Sequence, residues 1–294
     1  MRRTNYPIND DPYSEPQQPW FRTDMRGPAR RLSVATCLAV SLSEAKAQCY
    51  VEHNLDDTLL KAKIKAAQNW VEQRVDSLCI LSATYDLPVE DWWEGPLQVL
   101  PWPLQAVSSV KYYDTNGTEQ TLASTVYLVN TNGWQQPGTI ERAPDESWPS
   151  IQGDRRLPIT IRFNAGYLAP ITAVAATDVI TSTGRAFTDN EMVRFWNSGG
   201  ASAALPAGLS ADTDYWVRDA SSQTFKVSDV PAGTAIDITS TGTGLSYAGT
   251  IPEELKEGLL KLVETWHSNR SASNAVSKEL EEEVLGRLGY RGYR

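Results

Sequence analysis

The sequence has 294 residues, of which 41% are hydrophobic and 21% are charged, and its formal net charge is −9 at pH 7. These proportions are those of a globular protein with enough apolar residues for one large core or two small ones. The acidic balance argues against a nucleic-acid-binding surface over most of the molecule.

The cysteines and the apolar runs exclude several further classes of protein. Cys37, Cys49 and Cys79 are an odd number, and no histidines accompany them at metal-ligand spacing, so we expect buried thiols in a reducing compartment. The longest nearly apolar run, Val34 to Leu42, is too short to span a bilayer and too far into the chain for a signal peptide. We therefore expect no metal, no cofactor and no membrane contact.

The first 31 residues contain five prolines, with charged and amide side chains between them. Such a stretch cannot form a helix or the interior of a sheet, and we assign residues 1–35 to a proline-rich N-terminal arm. Two interpretations remain open: a disordered arm, or an arm ordered only against neighbouring subunits. In the second case the aromatic anchors are Tyr6, Tyr13, Trp20 and Phe21.

Three amphipathic helices are predicted from their caps and their apolar periodicity. Ser41 and Glu44 form a capping-box pattern, Asp56 is a candidate cap for the second helix, and Thr250 with Glu253 repeats the capping-box pattern. The second helix has an apolar face at spacings of three and four, made of Leu60, Ile64, Ala67, Val71, Val75 and Leu78. The third has the face that we expect to build the core: Leu255, Leu259, Leu262, Val263 and Trp266.

A run of three lysines marks the polar side of the second helix. A solvated helix face is the simpler explanation for these lysines, which are Lys61, Lys63 and Lys65. A contact with nucleic acid is the alternative explanation.

From Ile80 onwards the pattern changes to short strands, predicted at 97–100, 107–113, 125–130 and 157–163. The tryptophans of the connecting loops are expected to plug the core; they are Trp92, Trp93, Trp102, Trp134 and Trp148.

Residues 171–250 are rich in Thr, Ser, Ala and Gly and show short alternating strands, the last at 235–238, which indicates a small all-β module. If this module were deleted, the flanking segments 167–170 and 250–252 would connect directly to each other. We therefore interpret the module as a domain inserted into a core made of residues 36–170 and 251–284.

With the module set aside, five segments follow one another in an order that resembles the head–tail connector (head-completion adaptor) family of tailed double-stranded DNA bacteriophages. They lie within residues 41–167 and 251–270, a little over half of the chain. The segments are SLSEAKAQCYV, DDTLLKAKIKAAQNWVEQ, LPWPLQAVSSVKYYDTNGTEQ, ITIRFNAGY and IPEELKEGLLKLVETWHSNR. The expected fold class is α+β: a mainly helical connector core of three to four helices with a small antiparallel β-sheet, plus the inserted all-β domain.

The resemblance implies a structural virion protein that assembles as a ring, usually twelvefold, beneath the portal protein. The ring would extend the DNA channel in the neck of the virion, let DNA pass without specific binding, and join a tail, stopper or nozzle protein, after assembly in the bacterial host cytoplasm. Many family members lack the arm and the β module. Here these parts are expected to contact capsid or tail fibres.

In this family the C-terminal tail reaches towards the portal, which points to residues 285–294 as a docking tail. This stretch carries glycines, tyrosines and arginines but no acid, a composition found at interface anchors; a frayed end is the plainer reading. The docking residues would be Leu285, Arg287, Leu288, Tyr290, Arg291, Tyr293 and Arg294.

The alternatives to a structural protein are an enzyme and a binding or decoration protein. An enzyme is not supported, because His53 and His267 are the only histidines and no phosphate-binding loop or nucleophile elbow occurs. A carbohydrate- or receptor-binding or decoration role would act through the β module, with Trp196, Tyr215 and Trp216 as a stacking platform.

Overall fold

The computed structural model describes residues 26–75, 77–133, 136–198, 202–269 and 277–287. Within these residues the chain forms fourteen strands and four helices. The helices are α1 (Leu42–Gln48), α2 (Asp57–Arg74), α3 (Glu253–Ser268) and α4 (Lys278–Arg287). The strands are β1 (Arg30–Val34), β2 (Ala83–Val89), β3 (Leu97–Val99), β4 (Leu104–Tyr113), β5 (Glu119–Thr121), β6 (Tyr127–Asn130), β7 (Gly138–Arg142), β8 (Ile159–Ala165), β9 (Leu168–Val174), β10 (Val179–Ser182), β11 (Met192–Ser198), β12 (Tyr215–Ser221), β13 (Thr224–Ser228) and β14 (Leu245–Gly249).

The fold is mostly β, so the prediction of a mainly helical core with a small sheet is wrong. The described strands form a five-stranded sheet, a three-stranded sheet and a closed six-stranded barrel. The sequence patterns do not predict strands β2 and β9, because both strands contain residues that usually interrupt strands. β2 contains Asp86 and Pro88, and β9 contains Pro170. In β2, Asp86 pairs with arginines on the two neighbouring strands, Arg30 on β1 and Arg162 on β8.

The two open sheets share one apolar core. The five strands are ordered β1-β2-β8-β4-β5 and all neighbours are antiparallel, while the smaller sheet is ordered β3-β7-β6. On β8 the side chains of Ile159, Ile161 and Phe163 are fully buried, in alternation with more exposed Thr160 and Arg162. The three-stranded sheet adds its own buried residues to the same core, among them Leu97, Val99 and Ile140.

The tryptophans near these sheets fill their edges. Trp93 and Trp102 are buried, and Trp92 and Trp148 stack in parallel with ring centroids 4.7 Å apart. The indole N–H of Trp92 donates to the carbonyl of Pro149 at 2.7 Å. Trp134 lies outside the described residues.

The barrel follows the strand order β10-β13-β12-β11-β14-β9 and closes where β9 pairs with β10. Its first and last strands pair with each other, Leu168 opposite Gly249, so the chain enters and leaves the barrel at adjacent positions. The prediction of a strand at residues 235–238 is wrong, although Ile236 N–H donates to the Val227 carbonyl at 2.8 Å. The division into a core and an inserted domain stays a prediction.

The helices pack on one another and on the outside of the barrel. The apolar faces of α2 and α3 lie in one buried cluster, which also receives Tyr247 from β14 and Leu168 from β9. His267 near the end of α3 lies 3.2 Å from the Asp56 carboxylate at the start of α2, so the two helices run in opposite directions.

The helix caps show which local signals determine the structure. The capping box of α1 is confirmed, with Ser41 and Glu44 each accepting a backbone N–H of the other. Asp56 makes no capping bond, because its carboxylate faces His267 instead. Thr250 also fails to cap: its hydroxyl donates to the Met192 carbonyl at 2.6 Å, and Pro252 takes the N-cap position of α3.

Candidate assembly surfaces

The five residues of the predicted core helix face lie together on α3 and are all buried. They are Leu255, Leu259, Leu262, Val263 and Trp266. They face α2 and the barrel within the same chain, so this face positions the surfaces described below and is not itself open to a partner.

Helix α4 carries the start of the predicted docking tail. Val284 is buried, and Leu280 and Leu285 are partly buried against the helical core. A Cβ atom added to Gly258 of α3 would lie 3.0 Å from Val284 Cγ1, so the absence of a side chain lets the two helices approach closely. Glu281 accepts a hydrogen bond from Arg74 at 3.0 Å.

The rest of the predicted tail and the arm anchors fall beyond what the structure describes. Arg287 is the last residue of α4. The remaining members lie outside the described residues: Leu288, Tyr290, Arg291, Tyr293 and Arg294 of the tail, and Tyr6, Tyr13, Trp20 and Phe21 of the arm.

An ionic network joins the barrel to the helices. One carboxylate oxygen of Glu44 lies 2.5 Å from Lys256 Nζ on α3 and 3.1 Å from Arg194 Nη1 on β11. Arg194 also donates two hydrogen bonds to Asp214, which lies just before β12. Burial alone would raise the pKa of Glu44, but hydrogen bonds from Lys256 and Ser41 lower it below its ordinary value. The network thus fixes the barrel relative to α1 and α3.

Among the described residues, strand β1 is an edge of the five-stranded sheet. All five of its residues are exposed, including the apolar Leu32 and Val34. Arg30 lies 3.2 Å from Asp86, which also receives two hydrogen bonds from Arg162 of β8, and these bonds lower the pKa of Asp86. An exposed edge strand offers unpaired backbone groups to another chain, so this edge is a candidate subunit contact.

The turn between α1 and α2 exposes two large apolar side chains. Tyr50 is 92% exposed and Leu55 is 89% exposed. Tyr50 also lines a groove of about 460 Å³ between α1 and α3 whose acidic residues include Glu253, Glu257 and Glu264. Sequence reasoning missed this surface, although two apolar residues within a polar turn were a visible signal.

A second groove, of about 680 Å³, runs between α2 and the barrel; we call it the lysine groove. Lys61 and Lys65 form its α2 side, and both lysines are exposed. The groove is otherwise lined mainly by apolar residues, with Asp212 as its acidic member, and they include Cys37, Leu38, Trp196, Leu205 and Leu209. Burial raises the pKa of the Cys37 thiol to about 12, so this thiol stays neutral.

The metal-ligating side chains and the cysteines of the described part of the chain are scattered. No cluster of three or more metal-ligating side chains occurs there. The three cysteines are free; Cys79 is buried, and Cys37 and Cys49 are half-buried. No described helix is both long and apolar enough to cross a membrane.

The aromatic platform expected for the alternative, carbohydrate-binding role is not formed. Tyr215 points into the barrel, where its ring contacts Phe195 edge-on with centroids 5.5 Å apart. Trp216 follows it on the opposite face of the strand, and Trp196 packs against the helical core. The three rings therefore do not share one exposed surface.

Comparison with known proteins finds the same fold in a virion. No protein-family model and no curated protein sequence matches the chain. A chain in a structure of the virion of a native gene transfer agent (GTA) particle is similar over 91% of this chain and 97% of that chain, with a TM-score of 0.50 and 12% identity. Two GTA neck structures are similar at 11% identity. In the neck of the empty particle, computed with C6 symmetry, the match covers 89% of this chain and 95% of the neck chain, with a TM-score of 0.47. In the neck of the native particle, computed with C12 symmetry, it covers 89% of this chain and 94% of the neck chain, with a TM-score of 0.46. At such identities the likeness is one of fold, and the chain has the fold of a chain in a GTA virion.

Proposed function

We propose that this protein is a structural virion component, a head-to-tail adaptor that forms a ring beneath the portal protein. One observation carries the proposal: the fold matches a chain of a GTA virion over nearly the full length of both chains. The resemblance of the sequence to head–tail connectors points the same way. The ring would be twelvefold, would extend the DNA channel, and would join the head to a tail, stopper or nozzle protein.

The described surfaces support assembly rather than catalysis. A heterologous interface repeated around a ring needs two different patches on each copy. The open edge of β1 and the exposed Tyr50 and Leu55 are such patches, and they lie on separate elements. A net charge of −9 on each copy disfavours binding of the passing DNA, because 36 acidic side chains outnumber 27 basic ones and repel its phosphates.

The contact with the portal is assigned to the tail that follows α4. This stretch carries Arg291 and Arg294 together with Tyr290 and Tyr293, and arginine and tyrosine are enriched at the energetic centres of interfaces. Because α4 is packed on the core, the tail leaves from a fixed position. Contacts of the arm and the β barrel with capsid or tail fibres complete the proposed set of partners.

The test is a truncation that ends the chain at Arg287, so that Leu285 and the rest of α4 remain. We expect a folded protein that assembles with itself but no longer joins portal-bearing heads, measured by electron microscopy of the reconstituted particles. A full-length variant with the order of residues 288–294 shuffled is the matched control for composition, and it should fail likewise. Normal attachment of the truncated chain would refute the docking role of the tail, and a purely monomeric full-length chain beside intact portals would refute the ring.

A further inference from the structure

The lysine groove has apolar residues at eight of its fifteen described lining positions, beside the two exposed lysines of α2. Within the described residues, no ion pair or hydrogen bond is formed by the side chains of Lys61 and Lys65. Its acidic member, Asp212, accepts a hydrogen bond from Ser43 at 2.8 Å. A solvated helix face explains exposed lysines, but it does not explain an adjoining apolar groove. The groove therefore suits a peptide that carries both acidic and apolar side chains.

The chain itself contains a segment with this chemistry. Residues 6–15, YPINDDPYSE, include three acids and no base, together with two tyrosines and an isoleucine. Proline at positions 7 and 12 favours an extended backbone, which can lie along a groove with little further loss of conformational entropy. Both the charge and the apolar character of this segment complement the groove.

The direction of β1 suggests which copy supplies the segment. Arg26 pairs with Val89 at one end of β2, and Ala35 N–H donates to the Ser82 carbonyl at the other end. The groove begins at Thr36, so the arm enters the described structure about 30 Å from it, at roughly 3.3 Å per extended residue. The eleven residues from Glu15 to Arg26 span about 36 Å only when fully extended, so the segment reaches its own groove only by running straight back along the sheet, whereas a neighbouring copy needs no such reversal.

We propose that residues 6–15 of one copy bind in the lysine groove of the neighbouring copy, so that the arms link the subunits of the ring. This inference rests on the proposed ring and adds an inter-subunit contact to those at the β1 edge and at Tyr50 and Leu55. Asp10, Asp11 and Glu15 face Lys61 and Lys65, while Tyr6 and Tyr13 contact the apolar side of the groove.

A cysteine pair tests the contact directly in the full-length protein. Ser14→Cys places a thiol in the arm, and Ala211→Cys places one at an exposed position that lines the groove. With a short bis-maleimide, we expect the double variant to give a ladder of covalent multimers. Both cysteines are introduced into a chain with Cys37→Ser and Cys49→Ser, because the native Cys37 is a free thiol that lines the groove. In that background each single variant joins only like positions and gives at most dimers, and the chain without an added cysteine reports the background from the buried Cys79.

Charge reversal then identifies the groups responsible. In the double-cysteine chain, Lys61→Glu with Lys65→Glu should reduce the ladder about tenfold, because like charges would now face each other. Adding Asp10→Lys and Asp11→Lys should restore it. Lys63→Glu is the matched control, since this lysine is on the same helix but does not line the groove, and it should leave the ladder unchanged.

The outcomes separate this inference from the proposed function. Rings that form and bind portal-bearing heads without any ladder, or with cross-links only within one chain, would overturn the arm contact and leave the adaptor ring standing. Absence of rings from the unaltered protein would overturn both.

Discussion

Glu44 shows how one residue can serve a local and a long-range role. One of its carboxylate oxygens completes the capping box of α1, and the other binds Lys256 and Arg194. The sequence predicted the cap, because Ser41 lies three residues away. It could not predict the other two partners, which are about 150 and 212 residues distant along the chain.

We expect Glu44→Gln to lower the free energy of unfolding by about 1–3 kcal/mol, the usual cost of losing hydrogen bonds to a charged group. The glutamine can keep the cap, but it leaves Arg194 and Lys256 without their shared anion. Glu253→Gln is the matched control, because Glu253 lies 3.8 Å from the same lysine and its side chain is 62% exposed. Urea denaturation should show the loss in the first variant and almost none in the second; equal losses would contradict the role of the network.

The same carboxylate sets a pH dependence. The pKa of Glu44 is lowered in the folded state, as are the pKa values of Asp86 and Asp214. Their stabilisation is therefore fully present above the unfolded-state pKa values, about 4, and is lost as the pH falls through the lower folded-state values. We expect Glu44→Gln to make this acid loss of stability shallower than in the unaltered chain.

At the scale of elements, the sequence predicted those strands and helices whose formation is determined by the local pattern of apolar residues. The alternation on β8 and the apolar repeat on α2 are both found in the structure. The core was predicted to be mainly helical with a small sheet because β2 and β9 are interrupted by proline and, in β2, by a charge that only tertiary contacts neutralise. The lysine groove was not predictable either, since residues near 37, 61 and 196 meet only in the folded chain.

The packing of α4 on α3 gives a test at this scale. Gly258→Leu should push α4 away, because even a Cβ atom there lies 3.0 Å from Val284 Cγ1. We expect faster hydrogen exchange of the α4 amides and weaker attachment to portal-bearing heads, with the rest of the fold unchanged. Glu254→Leu, at an exposed position one turn earlier, is the control for adding leucine to this helix. Unchanged exchange in Gly258→Leu would mean that α4 is not held by this contact.

At the scale of the whole molecule, the barrel and the helices share apolar surface. Tyr247 is buried in the helical core, Trp196 is packed against it, and Arg194 joins the network of Glu44. The adjacent entry and exit of the barrel fit an inserted domain, but the shared core makes it a structural partner of the helices.

We therefore expect that deleting residues 171–249 leaves α2 and α3 with an uncovered apolar face. Removing Tyr247 and Trp196 takes two aromatic side chains out of the cluster that buries the apolar faces of α2 and α3, and burial of such surface is worth about 25 cal/mol per Å². The shortened chain should bind a hydrophobic dye and aggregate. A milder variant, Trp196→Ala, keeps the barrel and should lower the melting temperature while the chain stays soluble. A soluble, cooperatively unfolding deletion variant would instead show that the helices and the open sheets are complete without the barrel, as an independent insertion requires.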